Sequence, residues 1–121
     1  INACRNKYVN VIAHPTGVHL GKREAYDIDL KEVCKAAVER NVFLEINSFP
    51  IRLDLNSANI YFARSQGVRF AINSDAHSTE HLPYLKFGIS LARRGWLKKE
   101  DVLNTLSLEH LMKTLKKKSH V

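Results

Sequence analysis

The sequence predicts an α/β fold built on a parallel sheet. Three short stretches rich in apolar, β-type residues recur at intervals of roughly 30 residues, which is the length of a βαβ unit. Each stretch runs directly into polar residues, and the segments between them have helical patterns. The stretches cover residues 8–13, 42–47 and 68–72. Strands linked by crossover helices pair in parallel, so a parallel sheet is expected.

Cap residues and apolar stripes predict the helices. Leu30, Val33, Cys34 and Ala37 share one helical face, and Asp29 with Glu32 forms a capping box at its start. The other boundaries rest on N-cap residues and on glycines that suit a left-handed stop. We predict helices from Asp29 to Asn41, from Asn56 or Ser57 to Gly67, from Ser78 through Pro83 to Gly95, and from Ser107 along Leu108, Leu111, Met112 and Leu115.

The length sets the scale of the architecture. The chain has 121 residues, enough for one domain, whereas a closed eight-stranded α/β barrel needs about 250. Ile1 is not a start methionine, and residues 1–6 look like the end of a helix. Residues 1–121 are therefore expected to be a piece of a longer protein. Open sheet edges predict self-association or contact with a partner.

Composition excludes a membrane span. Apolar residues make up 45% and charged residues 26% of the chain, and no apolar run approaches the roughly 18 residues that a span requires. Cys4 and Cys34 are far apart and belong to no CxxC pair, so we expect reduced structural thiols in a cytoplasmic protein.

The net charge of +7 favours polyanions, including DNA, as partners. Basic residues cluster at Lys22–Arg23, Arg93–Arg94, Lys98–Lys99 and Lys116–Lys118. The lysines of the last helix also fit a merely solvated face. Lys22 and Arg23 follow the loop after His14, which makes them candidates for contact with a substrate phosphate.

Polar residues at the strand ends predict a metal site. Asp75 and His77 are two residues apart in an extended segment and project to the same side. His14 follows the first strand, and alone it would be read as structural. Parallel α/β sheets place their sites at the carboxyl ends of the strands, so His14, Asp75 and His77 together predict a divalent metal centre. Histidine and carboxylate ligands suit Zn²⁺, Mn²⁺ and Fe²⁺ alike.

Other polar residues have less specific interpretations. Glu45 and Asn47 are two residues apart on the middle strand, where they are expected to support the ligands. Glu45 could orient a ligand or accept a proton, and the alternative is a buried ion pair with Arg23 or Arg52. Arg52 and Asp54 are expected to serve their loop and the following helix cap. The remaining histidines are expected at the surface: His19, His81, His110 and His120.

Several motifs resemble the C-terminal part of a PHP (polymerase and histidinol phosphatase) domain, of the kind found in family X DNA polymerases. They are residues 12–17 (IAHPTG), 44–47 (LEIN), 73–77 (NSDAH), 87–97 and 101–105. The resemblance implies a distorted (βα)₇ barrel with up to three divalent metals at the strand ends. Residues 1–121 would then be the C-terminal portion of a single PHP domain whose N-terminal half is absent. It also implies phosphoester hydrolysis, such as a 3′-5′ exonuclease or 3′-end processing in DNA repair.

By position, the resemblance makes His14 a metal ligand and makes Asp75 and His77 the last ligand pair. Val18 stands where the polymerase type usually has an arginine. The family's other ligands and the polymerase domain lie outside this sequence, so this chain alone is expected to be inactive. Two alternatives stay open: a non-catalytic scaffold that binds DNA or supports a polymerase, and a phosphatase of the histidinol phosphate kind.

Overall fold

The computed structural model describes residues 1–116, and the chain there forms an α/β domain with three parallel strands. Lys117, Lys118 and His120, which carried charge and surface predictions, lie outside the described residues. In chain order the elements are α1 (Asn2–Arg5), β1 (Val11–Ile12), α2 (Leu30–Glu39), β2 (Phe43–Asn47), α3 (Ser57–Ser65), β3 (Phe70–Asn73), α4 (Leu85–Arg94) and α5 (Leu108–Lys116). Turns of 3₁₀ helix cover Thr79–Tyr84, Lys99–Asp101 and Leu103–Thr105.

The strands lie side by side in sequence order, with β2 in the centre. Val11 is opposite Phe43, and Leu44 is opposite Phe70. Beyond β3, Phe70 forms a further parallel bridge with Val102. The parallel α/β prediction is confirmed, whereas the complete barrel stays a prediction.

Alternation along the strands gives the sheet two different faces. Leu44 and Ile46 of β2 pack with Phe70 and Ile72 of β3 in a buried core that the helices supply with small side chains and Ile60. The opposite face carries Phe43, Glu45 and Asn47, which are also buried. One face is therefore an ordinary apolar core, while the other becomes polar towards its carboxyl end.

The predicted caps of the first two long helices are confirmed. The Asp29 carboxylate accepts a hydrogen bond from the Glu32 amide at 3.1 Å, and the Asn56 side chain accepts one from the Asn59 amide at 2.9 Å. After α3, Gly67 has a φ of +89°, a conformation that glycine adopts without steric cost. These ends are set by local chemistry and were therefore visible in the sequence.

The prediction of one helix from Ser78 to Gly95 was wrong in its first part. Thr79–Tyr84 is a 3₁₀ helix that contains Pro83, and α4 begins only at Leu85. Ser78 makes no side-chain cap. Proline has no amide hydrogen and its ring crowds the preceding turn, so the regular α-helix starts after it.

Helix α4 lies very close to the sheet because it has a glycine at the contact. A Cβ atom at Gly88 would overlap the Ser48 hydroxyl oxygen and crowd Ile72. This close approach places the start of α4 beside the carboxyl end of β2.

Both cysteines are free thiols in the core, with Cys4 3% and Cys34 0% exposed. Burial raises the pKa of the Cys34 thiol to about 11, because the thiolate is poorly solvated there.

Among the described residues, no helix is long and apolar enough to cross a membrane. Self-association and a cytoplasmic location stay predictions.

The raised pKa of Cys34 predicts a slow thiol. In a Cys4→Ala variant, a disulfide reagent at pH 8 should modify Cys34 at least tenfold more slowly in the native protein than in urea, because the reactive thiolate is scarce and inaccessible. Absorbance of the released thiol gives both rates. Equal rates with and without urea would contradict the buried environment.

Candidate functional site

The carboxylate of Glu45 connects the carboxyl ends of all three strands. Glu45 is only 6% exposed. Its Oε2 accepts a hydrogen bond from the backbone amide of His14 at 2.5 Å, and its Oε1 accepts one from Nδ2 of Asn73 at 2.8 Å. Within residues 1–116, no ion pair links Glu45 to Arg23 or Arg52, so the paired-carboxylate alternative finds no support.

Asn47 extends this network to Asp75. The Asn47 side chain is 1% exposed, and its Oδ1 accepts a hydrogen bond from the Phe49 amide at 3.0 Å. Its Nδ2 is thereby turned towards the carboxylates, donating to Asp75 Oδ2 at 3.1 Å and more weakly to Glu45 Oε2 at 3.4 Å. The position of the Asp75 carboxylate is therefore set by the end of β2.

Arg52 also faces Asp75. Its Nε lies 3.8 Å from Asp75 Oδ2, and its Nη1 donates to the Val18 carbonyl at 3.2 Å. The separation from Asp75 is too long for a direct hydrogen bond. The Arg52 side chain thus places a positive charge beside the predicted ligand and steadies the loop that follows β1.

Asp54 holds the loop that carries His14. Its carboxylate is buried and accepts hydrogen bonds from the amides of Thr16 and Gly17, both at 3.0 Å to Oδ2. Burial raises the pKa of Asp54, while these hydrogen bonds from Thr16 and Gly17 oppose the rise. The expectation that Asp54 serves the following cap was wrong, because Asn56 makes that cap.

Two of the predicted ligands have unusual backbone conformations. His14 has a φ of +30° and Asp75 a φ of +55°, values that residues with a Cβ rarely adopt. Such conformations persist where the surroundings fix them. Glu45 fixes the amide of His14 and Asn47 fixes the carboxylate of Asp75.

The ring of His77 is oriented by its own loop. Its Nδ1 lies 2.7 Å from the carbonyl oxygen of Asp75. A carbonyl can only accept, so Nδ1 carries the hydrogen, and a neutral His77 keeps its lone pair on Nε2. A backbone carbonyl that orients one ring nitrogen in this way is typical of metal-binding histidines.

His81 is not the isolated surface residue that the sequence suggested. Its Nδ1 accepts a hydrogen bond from the backbone amide of His77 at 3.1 Å. It also stacks on the Tyr84 ring, with centroids 5.3 Å apart. His81 therefore helps to fix the loop that carries His77.

The three predicted metal ligands follow neighbouring strands at one edge of the sheet. However, no group of three or more His, Cys, Asp or Glu side chains within residues 1–116 could by itself hold a metal ion. The metal centre at His14, Asp75 and His77 stays a prediction, and an ion there requires loop movement or further ligands.

In the basic pair Lys22–Arg23, the arginine contacts residues of its own loop. Nε of Arg23 donates to the Gly17 carbonyl at 2.8 Å, and the Arg23 guanidinium lies 5.4 Å from the centre of the Tyr26 ring. Lys22 is exposed in the adjacent turn. Phosphate contact by Lys22 and Arg23 stays a prediction.

The sequence placed Asn47 beside Glu45 on one face of the middle strand, but Asn73 was missed. Its even spacing from Ala71 was the signal that it shares a face with that residue. Arg52 and Asp54 were assigned to their loop without their partners, which are 34 and 38 residues away in the chain.

The structure is a parallel α/β domain with carboxylate and histidine side chains at the ends of its strands. The chain is 43% identical over 115 residues to the DNA polymerase/3′-5′ exonuclease PolX of Bacillus subtilis, covering 95% of this chain and 20% of that protein. The resemblance to the PHP part of a family X polymerase is thereby confirmed.

Phosphatase relatives also match. A probable phosphatase of Thermoanaerobacter sp. (strain X514) is 32% identical over 111 residues, covering 87% of this chain and 43% of its own length. A probable phosphatase of Acetivibrio thermocellus is 37% identical over 82 residues, covering 64% of this chain and 32% of its own length. The chain thus spans about a fifth of PolX and less than half of each phosphatase. No family profile matches it.

Replacing Glu45 tests whether its carboxylate supports the site. In Glu45→Gln, an NH₂ group replaces one of the two accepting oxygens. This group must face either the His14 amide or the Asn73 side chain, which leaves buried donors unpaired. We expect a loss of about 1–3 kcal/mol in the free energy of unfolding, measured by urea denaturation. Glu39→Gln, at the exposed end of α2, is the matched control, and an equal effect in both variants would contradict the role of Glu45.

The raised pKa of Asp54 predicts a pH dependence of stability. Because the folded state binds the Asp54 proton more tightly than the unfolded state, where the pKa is about 3.9, stability falls as pH rises through the folded-state pKa. The unfolding free energy of the wild type relative to Asp54→Asn should therefore decrease from acid towards neutral pH. Urea midpoints across this range measure it, and a pH-independent difference would be evidence against the shift.

Proposed function

We propose that this chain forms part of a metal-dependent phosphoesterase site that hydrolyses phosphodiester bonds at DNA 3′ ends, as a 3′-5′ exonuclease or 3′-end processing activity. The observation that carries the proposal is the network at the carboxyl edge. Glu45 and Asn47 hold His14, Asn73 and Asp75 together there. The similarity to a protein named as an exonuclease supports the same reading.

The donors at this edge fit a divalent ion in kind. Asp75 offers a carboxylate, and His77 presents Nε2 because its Nδ1 bonds the Asp75 carbonyl. His14 adds a second imidazole at the end of β1. Mixed imidazole and carboxylate donors suit Zn²⁺, Mn²⁺ or Fe²⁺. Since no set of three converges within the described residues, further ligands would have to come from another part of the protein.

When bound, such an ion supplies a water of lowered pKa and neutralises phosphate charge. The residues of this chain then have separable tasks. Glu45 keeps His14 in place through its backbone amide, and Asn47 keeps Asp75 in place. Lys22 and Arg23 are proposed to contact the substrate phosphate, supported by their position in the loop after His14. A polymerase domain elsewhere in the protein and DNA as the partner are part of the same proposal.

A small-molecule phosphatase is the second candidate. The two phosphatase relatives favour it, since they match this chain at 32% and 37% identity. The net charge of +7 favours DNA, because an extended polyanion gains from many basic residues whereas a single phosphate does not. A non-catalytic scaffold is the third, and it predicts neither metal binding nor hydrolysis.

Metal content and substrate preference test the proposal. After dialysis against trace Zn²⁺ and Mn²⁺, elemental analysis should find metal in the full-length protein that contains this chain, because the proposed site needs ligands from outside it. His14→Ala, Asp75→Ala and His77→Ala should lose at least half of it. His110→Ala, an exposed histidine on α5, is the matched control and should retain it, because it lies outside the edge network.

Hydrolysis then separates the candidates. Degradation of a 3′-labelled single-stranded oligonucleotide by the full-length protein, abolished by Asp75→Ala, supports the exonuclease proposal. Cleavage of p-nitrophenyl phosphate without cleavage of the oligonucleotide supports the phosphatase. No bound metal together with no hydrolysis in the full-length protein would refute the proposal and leave the scaffold.

A further inference from the structure

Three aromatic side chains contact one another in succession close to the predicted ligands. His81, Tyr84 and Phe87 recur at every third position, through the 3₁₀ helix and into α4, and a 3₁₀ helix brings residues three apart into line. The rings of His81 and Tyr84 are stacked, with centroids 5.3 Å apart and planes at 17°. Those of Tyr84 and Phe87 are 6.0 Å apart at 33°. We call these three residues the aromatic row.

Phe49 fixes the aromatic row to the site. Its ring meets His81 at 5.0 Å and Tyr84 at 5.4 Å, with both pairs of planes almost perpendicular. Phe49 also contacts the His77 ring edge-on at 6.1 Å, and its amide bonds Asn47. The row therefore has a defined position relative to the loop that carries Asp75 and His77.

One end of the aromatic row is open to solvent and has a positive charge next to it. Phe87 at this end is 36% exposed, whereas His81 and Tyr84 are half-buried. The Lys86 ammonium lies 5.2 Å from the centre of the Phe87 ring. Exposed aromatic side chains with adjacent cations are the combination that binds single-stranded nucleic acids, because bases stack on the rings while phosphates meet the charge.

We propose that the aromatic row stacks a nucleobase of a single-stranded nucleic acid whose phosphate lies at the carboxyl edge. This inference rests on the proposed phosphodiesterase function and adds a base-binding surface to it. A nucleobase suits the row better than an aliphatic side chain does, since it presents a flat face that continues the stack. The overall charge of +7 and the positive charge of Lys86 complement the negative phosphates of the nucleic acid that carries this base.

Binding of a short fluorescein-labelled oligothymidylate to the full chain tests the proposal by fluorescence anisotropy. The same oligonucleotide with an abasic residue at either of its last two 3′ positions keeps every phosphate. The wild type should bind the complete oligonucleotide at least about fivefold more tightly than one of the abasic forms, as expected for one stacked base. Preference for the base, and not affinity alone, is the readout.

Variants of Tyr84 separate stacking from apolar contact. Tyr84→Leu keeps apolar bulk but removes the ring, so its affinities for the complete and the abasic oligonucleotides should differ by less than twofold. Tyr84→Phe keeps the ring and should keep the preference of the wild type. Tyr8→Leu is the matched control, because Tyr8 is a 78% exposed tyrosine that precedes β1 at the opposite edge of the sheet. Its preference should equal that of the wild type. Circular dichroism verifies that each variant is folded.

The outcomes distinguish this inference from the proposed function. Equal binding of complete and abasic oligonucleotides by the wild type, or no binding, overturns the aromatic row as a base site even where hydrolysis is observed. An unchanged preference in folded Tyr84→Leu overturns it as well. A preference that Tyr84→Leu abolishes upholds the base site, including in a chain that binds DNA without hydrolysing it.

Discussion

The arrangement of the strand ends depends on one buried carboxylate. Glu45 lies on the central strand, and its two oxygens receive donors from the loop after β1 and from the last residue of β3. A buried carboxylate needs such donors, because an unsatisfied charge out of water is very costly. The requirement is mutual: the carboxylate needs these partners, and together with Asp54 and the strand pairing it holds them at one edge. Asn47 extends this hydrogen-bond network from the central strand to the carboxylate of Asp75.

The two-residue period of the strands made much of this predictable. Leu44 and Ile46 had to face one side, and Glu45 and Asn47 the other, so a core face and a polar face follow from the order of residues. The caps at Asp29 and Asn56 were equally accessible, since each involves atoms within three residues of one another. The family resemblance came from short motifs at the same strand ends, where chemistry restricts the choice of residues most.

The rest depends on contacts between distant parts of the chain, which a sequence pattern does not encode. Asp54 bonds amides 37 and 38 residues earlier, and Arg52 reaches the carbonyl of Val18. Both looked like loop residues because their partners are determined only by tertiary packing. The contact of His81 with Phe49 was missed for the same reason, since the two rings are 32 residues apart in the chain. The start of α4 was misplaced because Pro83 fits a first α-helical turn and a 3₁₀ turn almost equally well.

The bond between Glu45 and the loop after β1 ends on the main chain of residue 14. Every amino acid except proline has this amide, so the anchor does not depend on the imidazole that it positions. A mutation at position 14 to a residue that tolerates its positive φ can therefore change the side chain while the loop keeps this anchor. At this position the contact that holds the loop is therefore separate from the side chain that does the chemistry. This separation allows related proteins to diversify their reactions on one framework.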